Sequence, residues 1–319
     1  MQVSIASYAV RHGIPHIPGR GDGCFRHLWV LTGAAGGDNF VTKKYMDKTE
    51  YRFDSVVAET LLIPLYFRAK ESRRGRHALL RDETAERLVA GIDYDYSKFD
   101  KAGMSAIGCV VRSNYFDEAV RRFIATHERP VVVNVGCGLD TRRQRTDGEG
   151  RAVCYELDLP EVISLRRTLL PDTPGDTCIP ASLTDTAWMD RLRTAHPDGD
   201  FIFVAEGVLM YFYERQVKAF LHALASRFDG GQVWFDVCGK TMLKAGVKPD
   251  SLRQSGAQIR SGITDGHEVE RWEPRLRLIE QAIYQRMHTR RWSLPMRLLA
   301  LMPGVSKGFS SLLGYEIMR

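Results

Sequence analysis

Val131-Val132-Val133-Asn134-Val135 runs straight into Gly136-Cys137-Gly138-Leu139-Asp140, and this junction constrains the fold more than any other stretch of the chain. A β-branched run with no polar alternation suits a strand buried on both faces, as in a parallel sheet. Gly-x-Gly at its end lets the backbone turn sharply and approach a ligand without a Cβ clash. Further strands are expected over Ala152–Leu157, Phe201–Ala205 and Val233–Val237, the last entered through a Gly230-Gly231 turn. A helix from Glu214 to Phe228 separates the final two. Strands alternating with helices imply a parallel sheet covered by helices on both faces. Leu276–Tyr284 and Tyr315–Met318 read as two late strands split by an insertion.

A strand ending in Gly-x-Gly also forms plain structural corners, so the motif alone leaves the ligand open. The pyrophosphate of a dinucleotide calls for GxGxxG, whose third glycine allows close helix packing. Here Thr141 stands at that third position and Asp140 adds negative charge to the turn. Such a turn repels a pyrophosphate and tolerates a phosphate-free cofactor that ends in an ammonium group, which favours S-adenosyl-L-methionine over NAD. The second strand carries Glu156 and Asp158, 20 and 22 residues after Gly136. An acid at this strand end can accept hydrogen bonds from both hydroxyls of a ribose. A solvated strand end, or a helix N-cap before Pro160, is the plainer reading of the same acids.

Length and composition narrow the rest. A chain of 319 residues suffices for one large α/β domain with a substrate-covering addition. The formal net charge of +6 is spread along the chain with no dense Lys/Arg run, which argues against a nucleic-acid partner. None of the six cysteines falls in a CxxC pair and no His/Cys cluster has zinc spacing, so buried free thiols, a reducing cytoplasmic setting and no metal are expected. No apolar run is long enough to span a bilayer, and no membrane partner is expected. Residues 1–45 are rich in Gly, Pro and His and lack a sustained period, which reads as a disordered tail. A single domain is then expected over 46–319, with a helical cap over 46–127 and a cofactor-binding core with C-terminal insertions over 128–319. Cap helices are expected from Tyr51 to Ala69, kinked at Pro64, from Asp82 (as N-cap) to Val89, and from Val111 to Ala125.

Three motifs occur in order: Val132-Val133-Asn134-Val135-Gly136-Cys137-Gly138-Leu139-Asp140-Thr141-Arg142, then Tyr155-Glu156-Leu157-Asp158-Leu159-Pro160-Glu161-Val162, then Ala205-Glu206-Gly207-Val208-Leu209-Met210-Tyr211. Together they resemble the leucine carboxyl methyltransferase family, in the bacterial-type small-molecule branch related to polyketide O-methyltransferases. Ala58-Glu59-Thr60-Leu61-Leu62-Ile63-Pro64-Leu65 resembles that branch's N-terminal helix, and the likeness covers roughly residues 46–319. It implies a Rossmann-like class I methyltransferase with a mostly parallel seven-stranded sheet and S-adenosyl-L-methionine as cofactor. It also implies roles. Arg112 matches the arginine that grips the cofactor carboxylate, Gly136 and Gly138 the cofactor loop, and Asp158, with Glu156 beside it, the ribose acid. Glu206 matches an acid near the methionine moiety. Asp140, Arg142 and Arg145 match the family as an ion-pair lattice shaping the loop. Ser182 and Leu183 stand where relatives place Asp-Leu for the adenine, with Asp185 as a substitute for the missing acid. Arg68, followed by Lys70, is the candidate cap cation.

Methyl transfer from a sulfonium is an in-line displacement that mainly needs placement of the acceptor and exclusion of water. A carboxylate acceptor needs no general base, whereas a phenol benefits from one. His222, in an expected outer helix, and His267, in an expected loop, are poor bases, so no catalytic residue is assigned. A small-molecule acceptor is expected, with a wall drawn from Met242, Ile259, Ile263, Trp272 and Trp292, all of them equally good core residues. Methylation of a protein C-terminus or a tRNA, and a non-catalytic cofactor-binding role, are the competing readings.

Overall fold

The computed structural model describes residues 56–170, 176–246, 249–252 and 257–319. The expected tail over 1–45 and the start of the helix expected from Tyr51 lie outside the described residues. Helix α1 runs Val56–Ser72 with Pro64 inside it, α2 runs Glu83–Gly91, and α3 runs Gly103–Thr126. Seven strands follow: β1 Pro130–Val135, β2 Val153–Asp158, β3 Asp176–Pro180, β4 Asp200–Ala205, β5 Gln232–Cys238, β6 Leu276–Ala282 and β7 Ser310–Ile317. They pair in the order β3-β2-β1-β4-β5-β7-β6. Strands β1 to β5 are parallel, and β7 is antiparallel to both β5 and β6. The sheet is therefore the mostly parallel, seven-stranded sheet of class I methyltransferases. Chain order reverses between β1 and β4, and in such sheets ligands bind beyond the carboxyl ends of the strands at that reversal.

One face of the sheet buries Phe201, Phe203, Phe235 and Tyr315 against Trp188, Leu221 and Phe228. The other buries Val132, Ile202, Val204 and Trp234 against Val111, Tyr115, Phe116 and Phe123 of α3. A third cluster belongs to the cap, where Leu62, Leu65 and Phe67 of α1 meet Ala85, Ile92 and Phe99. Helix α3 is shared: its first half packs into the cap through Ala106 and Val110, its second half onto the sheet.

Three elements depart from the sequence expectation. Strand β3 was not anticipated, because Asp-Thr-Cys-Ile-Pro at the sheet edge is only half buried and lacks a continuous apolar run. Helix α3 begins eight residues before Val111, across Gly103 and Gly108, whose low helix propensity hides it. Its start has no side-chain cap of its own; Asp250, distant in sequence, accepts hydrogen bonds from Met104 N (3.0 Å) and Ser105 N (2.9 Å). A carboxylate there satisfies orphan N–H groups and complements the helix dipole. Strand β7 starts five residues before Tyr315, and Gly314 within it lies under the Trp234 ring with no room for a Cβ.

Candidate functional site

The glycine loop closes over the ends of β1 and β2. Gly136 N and Cys137 N both donate to Leu157 O, at 2.7 and 3.0 Å. Gly136 has φ +68°, and a Cβ there would lie 2.4 Å from Val208 Cγ2, so only glycine fits. Asp158 grips the loop from the next strand: its Oδ2 accepts from Gly138 N (2.8 Å) and its Oδ1 from Leu159 N (2.7 Å). Burial raises its carboxyl pKa against these two bonds. Arg166 holds the loop's carbonyls, donating to Gly138 O (3.1 Å) and Asp140 O (2.6 Å).

Below the loop lies a lattice of buried ion pairs. Arg145 meets Asp117 in a two-pronged fork (2.7 and 3.0 Å) and reaches Asp140 (3.0 Å) and Asp82 (3.1 Å). Arg142 meets Asp117, Asp140 and Glu206. Arg68 donates to Asp82 (2.9 Å) and to Leu139 O (2.9 Å). Arg112 bridges Glu206 (3.0 Å) and Asp236 (2.8 Å). Four guanidiniums thus face five carboxylates, Asp82, Asp117, Asp140, Glu206 and Asp236, and the lattice carries one net negative charge. Burial opposes ionisation of Glu206, but Arg112 and Arg142 outweigh it and hold the carboxyl below the usual range. Asp140 is buried as well, yet Arg142, Arg145 and Arg68 hold it well below. Arginine suits such buried forks better than lysine.

Above the lattice a cavity of about 410 Å³ runs from the loop to the C-terminal segment. Arg68, Arg112, Gly136, Gly138 and Glu206 line it, as does Asp140. Asp158 stands one hydrogen bond behind the lining, through Gly138 N. Glu156 does not reach the cavity. It is 2% exposed, accepts from Asn134 Nδ2 (3.1 Å) and pairs with Arg166 at 3.5 Å, and burial pushes its pKa up to about 7. Leu183 is buried in the sheet-face core, and the Ser182 hydroxyl accepts from Thr184 N (3.2 Å), beyond the end of β3 and outside the lining. Lys70 pairs with Asp100 in a solvated spot away from the loop, which corrects its place as second cap cation. Of the expected acceptor wall, Met242 and Trp292 line the cavity, whereas Ile263 and Trp272 belong to the packing on one sheet face.

Asp236, Tyr284 and Gln285 also line the cavity and were not singled out from sequence. Asp236 accepts from Arg112 and from Gly207 N (2.6 Å), and the Tyr284 hydroxyl donates to it at 3.4 Å. An acid inside the apolar run Gln-Val-Trp-Phe-Asp-Val-Cys was the available signal. Gln285 is 7% exposed, and its Oε1 has no hydrogen-bond partner. No histidine lines the cavity among the described residues. His222 instead pairs with Glu273, and His267, which opens the helix His267–Trp272 where a loop was expected, pairs with Glu270. Burial raises the pKa of Tyr211 and Tyr284 and pushes the Cys109 thiol up to about 11. None of these groups is poised to take a proton near neutral pH.

The site fits S-adenosyl-L-methionine on two counts. The glycine loop offers backbone in place of side chains, and the surplus negative charge complements a cofactor that carries one net positive charge. A pyrophosphate would add negative charge to an already acidic turn.

Comparisons with known proteins agree. The leucine carboxyl methyltransferase profile matches residues 62–225. The tetracenomycin polyketide synthesis O-methyltransferase TcmP of Streptomyces glaucescens is 35% identical, over 70% of this chain and 82% of its own. A Mycobacterium ulcerans protein named for S-adenosyl-L-methionine-dependent methyl transfer is 31% identical, over 57% of this chain and 70% of its own. Among solved structures, the magnesium protoporphyrin IX methyltransferase of Synechocystis PCC 6803 with bound S-adenosylhomocysteine is similar at a TM-score of 0.43 and 14% identity, covering 74% of this chain and 93% of that one. The chain belongs to the leucine carboxyl methyltransferase family and is an S-adenosyl-L-methionine-dependent methyltransferase.

Proposed function

We propose that the protein methylates an oxygen of a small, largely apolar, polyketide-like acceptor, and that a carboxylate oxygen is favoured over a phenolic one. The observation that carries this reading is the cavity's division. Its charged end is built on the glycine loop, while its other end, lined by Met242, Trp292, Met296, Leu299 and Phe309, is apolar and offers no general base. A carboxylate is ionised at neutral pH and needs none. The 35% identical relative is itself an O-methyltransferase of polyketide synthesis. Both cations in the lining, Arg68 and Arg112, are already paired with carboxylates, so the cavity wall itself offers a tRNA phosphate no free cation.

The cofactor supplies an electrophilic methyl group on a sulfonium. Asp158 takes the ribose hydroxyls with the lone pairs left over from Gly138 N and Leu159 N. Arg112 meets the cofactor carboxylate, and Glu206 and Asp236 fix the guanidinium plane so that this fork points one way. Gly136 and Gly138 present bare backbone to the cofactor, and Arg68 supports the loop through Leu139 O. The apolar end excludes water and holds the acceptor, which accounts for most of what such a displacement requires. Incubation with methyl-labelled cofactor and a panel of aromatic acids and phenols tests the reading. A labelled methyl ester releases methanol in mild base, whereas an aryl ether survives. Label recovered only in protein or RNA would overturn the small-molecule assignment.

A further inference from the structure

The C-terminal insertion carries apolar side chains on two sides. The helix Leu294–Ala300 and the helix Pro303–Lys307 lie over the apolar end of the cavity, into which Met296 and Leu299 face as part of its lining. On the outside, Leu294, Leu298, Leu301, Met302 and Val305 are between 47% and 75% exposed. Eight large hydrophobic side chains are this exposed among the described residues, and five of them fall within these twelve positions, so the patch is not scattered surface. Leu294 and Leu298 share one face of the first helix, Leu301 and Met302 form the junction, and Val305 lies on the second helix.

The charges beside this patch are of one sign. Residues 281–315 contain no Asp or Glu and five cations, Arg286, Arg290, Arg291, Arg297 and Lys307. Arg291 pairs with Glu71 of α1. Arg286 and Arg297 donate only to backbone carbonyls, those of Ala300, Trp292 and Arg290. No ion pair joins Arg286, Arg290, Arg297 or Lys307 to a described carboxylate, and the segment that carries them offers none of its own.

We infer that this patch docks on an anionic bilayer surface, with the leucines entering the acyl boundary and the arginines meeting lipid phosphates. An exposed apolar patch flanked by cations without carboxylate partners has the two contributions that interfacial anchoring needs to bind firmly. A protein partner would need an acidic groove to receive the same patch, and a second copy would set these cations against themselves. The expectation of no membrane partner rested on the lack of a spanning segment, and an interfacial helix requires none. Docking puts the apolar end of the cavity next to the lipid phase, where an acceptor of the class proposed above would partition; this last step rests on that reading, the docking does not.

Co-sedimentation of the full chain with phosphatidylcholine vesicles, with and without about a third phosphatidylglycerol, tests docking at about 0.15 M salt. The protein should pellet with the anionic vesicles only, and less so as salt rises. Leu298→Asp with Leu301→Asp should cut vesicle binding at least about tenfold, and Arg290→Gln with Lys307→Gln by about fivefold per cation. Cofactor titration should be unchanged in both double variants, which separates loss of docking from loss of fold or of the methyltransferase site. Parent protein remaining in the supernatant with anionic vesicles overturns the inference. So does a dimer in gel filtration that Leu301→Asp converts to monomer, since the patch would then be covered by a second copy.

Discussion

Glu206→Gln tests the charge arithmetic of the site while preserving its shape. The carboxylate accepts from Arg112 Nε (3.0 Å), from Ser113 Oγ (2.7 Å) and from Arg142. An amide keeps one acceptor oxygen but turns an N–H₂ towards one of two buried guanidiniums. Breaking a buried ion pair from one side costs about 3–5 kcal/mol. Arg142 keeps Asp117 and Asp140, and Arg112 keeps Asp236, so the lower end applies. A loss of about 3 kcal/mol lowers the melting temperature of a domain this size by roughly 6–12 °C. The second consequence is more specific. The lattice goes from one carboxylate in excess to balance, so a cofactor with one net positive charge loses an attraction that its neutral demethylated product never had. At an effective dielectric near 20 and a separation on the order of 10 Å, a unit charge is worth about 1.7 kcal/mol, somewhat over tenfold in affinity. Calorimetric titration with S-adenosylmethionine and with S-adenosylhomocysteine should show the ratio of their affinities falling by roughly that factor. A variant that melts with the parent, or that loses affinity for both ligands equally, would refute the argument.

Asp158→Ala should weaken cofactor binding roughly tenfold to a hundredfold, since a charged acceptor of hydrogen bonds is worth about 1.5–3 kcal/mol, and should leave acceptor preference unchanged in a competition assay. Arg112→Lys cannot bridge Glu206 and Asp236 as the guanidinium does, and single-turnover transfer should slow even at saturating cofactor. Glu156 has a folded pKa raised from 4.5 to about 7, so the folded state binds the extra proton and stability falls as pH rises between these values, levelling off above. Melting curves of Glu156→Gln should lose that fall relative to the parent; an identical pH slope would show that Glu156 is charged throughout. Gln285→Leu removes an unpartnered amide oxygen at the cavity wall, so the variant should melt no lower than the parent while KM for the acceptor changes; a lower melting temperature with unchanged KM would make Gln285 structural.

Much of this was legible in the sequence because the parallel sheet writes itself as short apolar runs. Val131–Val135, Phe201–Ala205 and Val233–Val237 each fall inside an observed strand, since burial on both faces leaves no room for polar alternation. Strand β3 escaped because an edge strand is half solvated, and the first turns of α3 escaped because their cap, Asp250, is supplied from far along the chain. Site residues divided along the same line. Gly136 was readable because a turn with positive φ forces glycine locally. Glu156 and Asp158 were readable only as a pair. Two residues apart, they share one face of the strand, so the pleat does not separate them; position along the strand does, and only Asp158, at its end, accepts Gly138 N, while Glu156 lies further back against Asn134. Asp236 and Gln285 earn their places through contacts with Arg112 and the cavity, which no local pattern encodes.

The lattice also explains why the cap and the cofactor loop should behave as one unit. Asp82 is the N-cap of α2, accepting from Ala85 N (2.8 Å), and the same carboxylate takes Arg68 of α1, Arg145 and the Thr141 hydroxyl (2.6 Å) beside the loop. Arg68 in turn holds Leu139 O. Opening the cap would therefore strip partners from Arg145 and Asp82, both nearly fully buried, and unsatisfied buried charges are costly. A cofactor that orders the loop thereby lowers the cost of keeping the cap closed. Since the cap residues Ile63, Pro64 and Cys109 also wall the cavity, cofactor binding and acceptor binding draw on the same closed state, and binding of the first should favour the second.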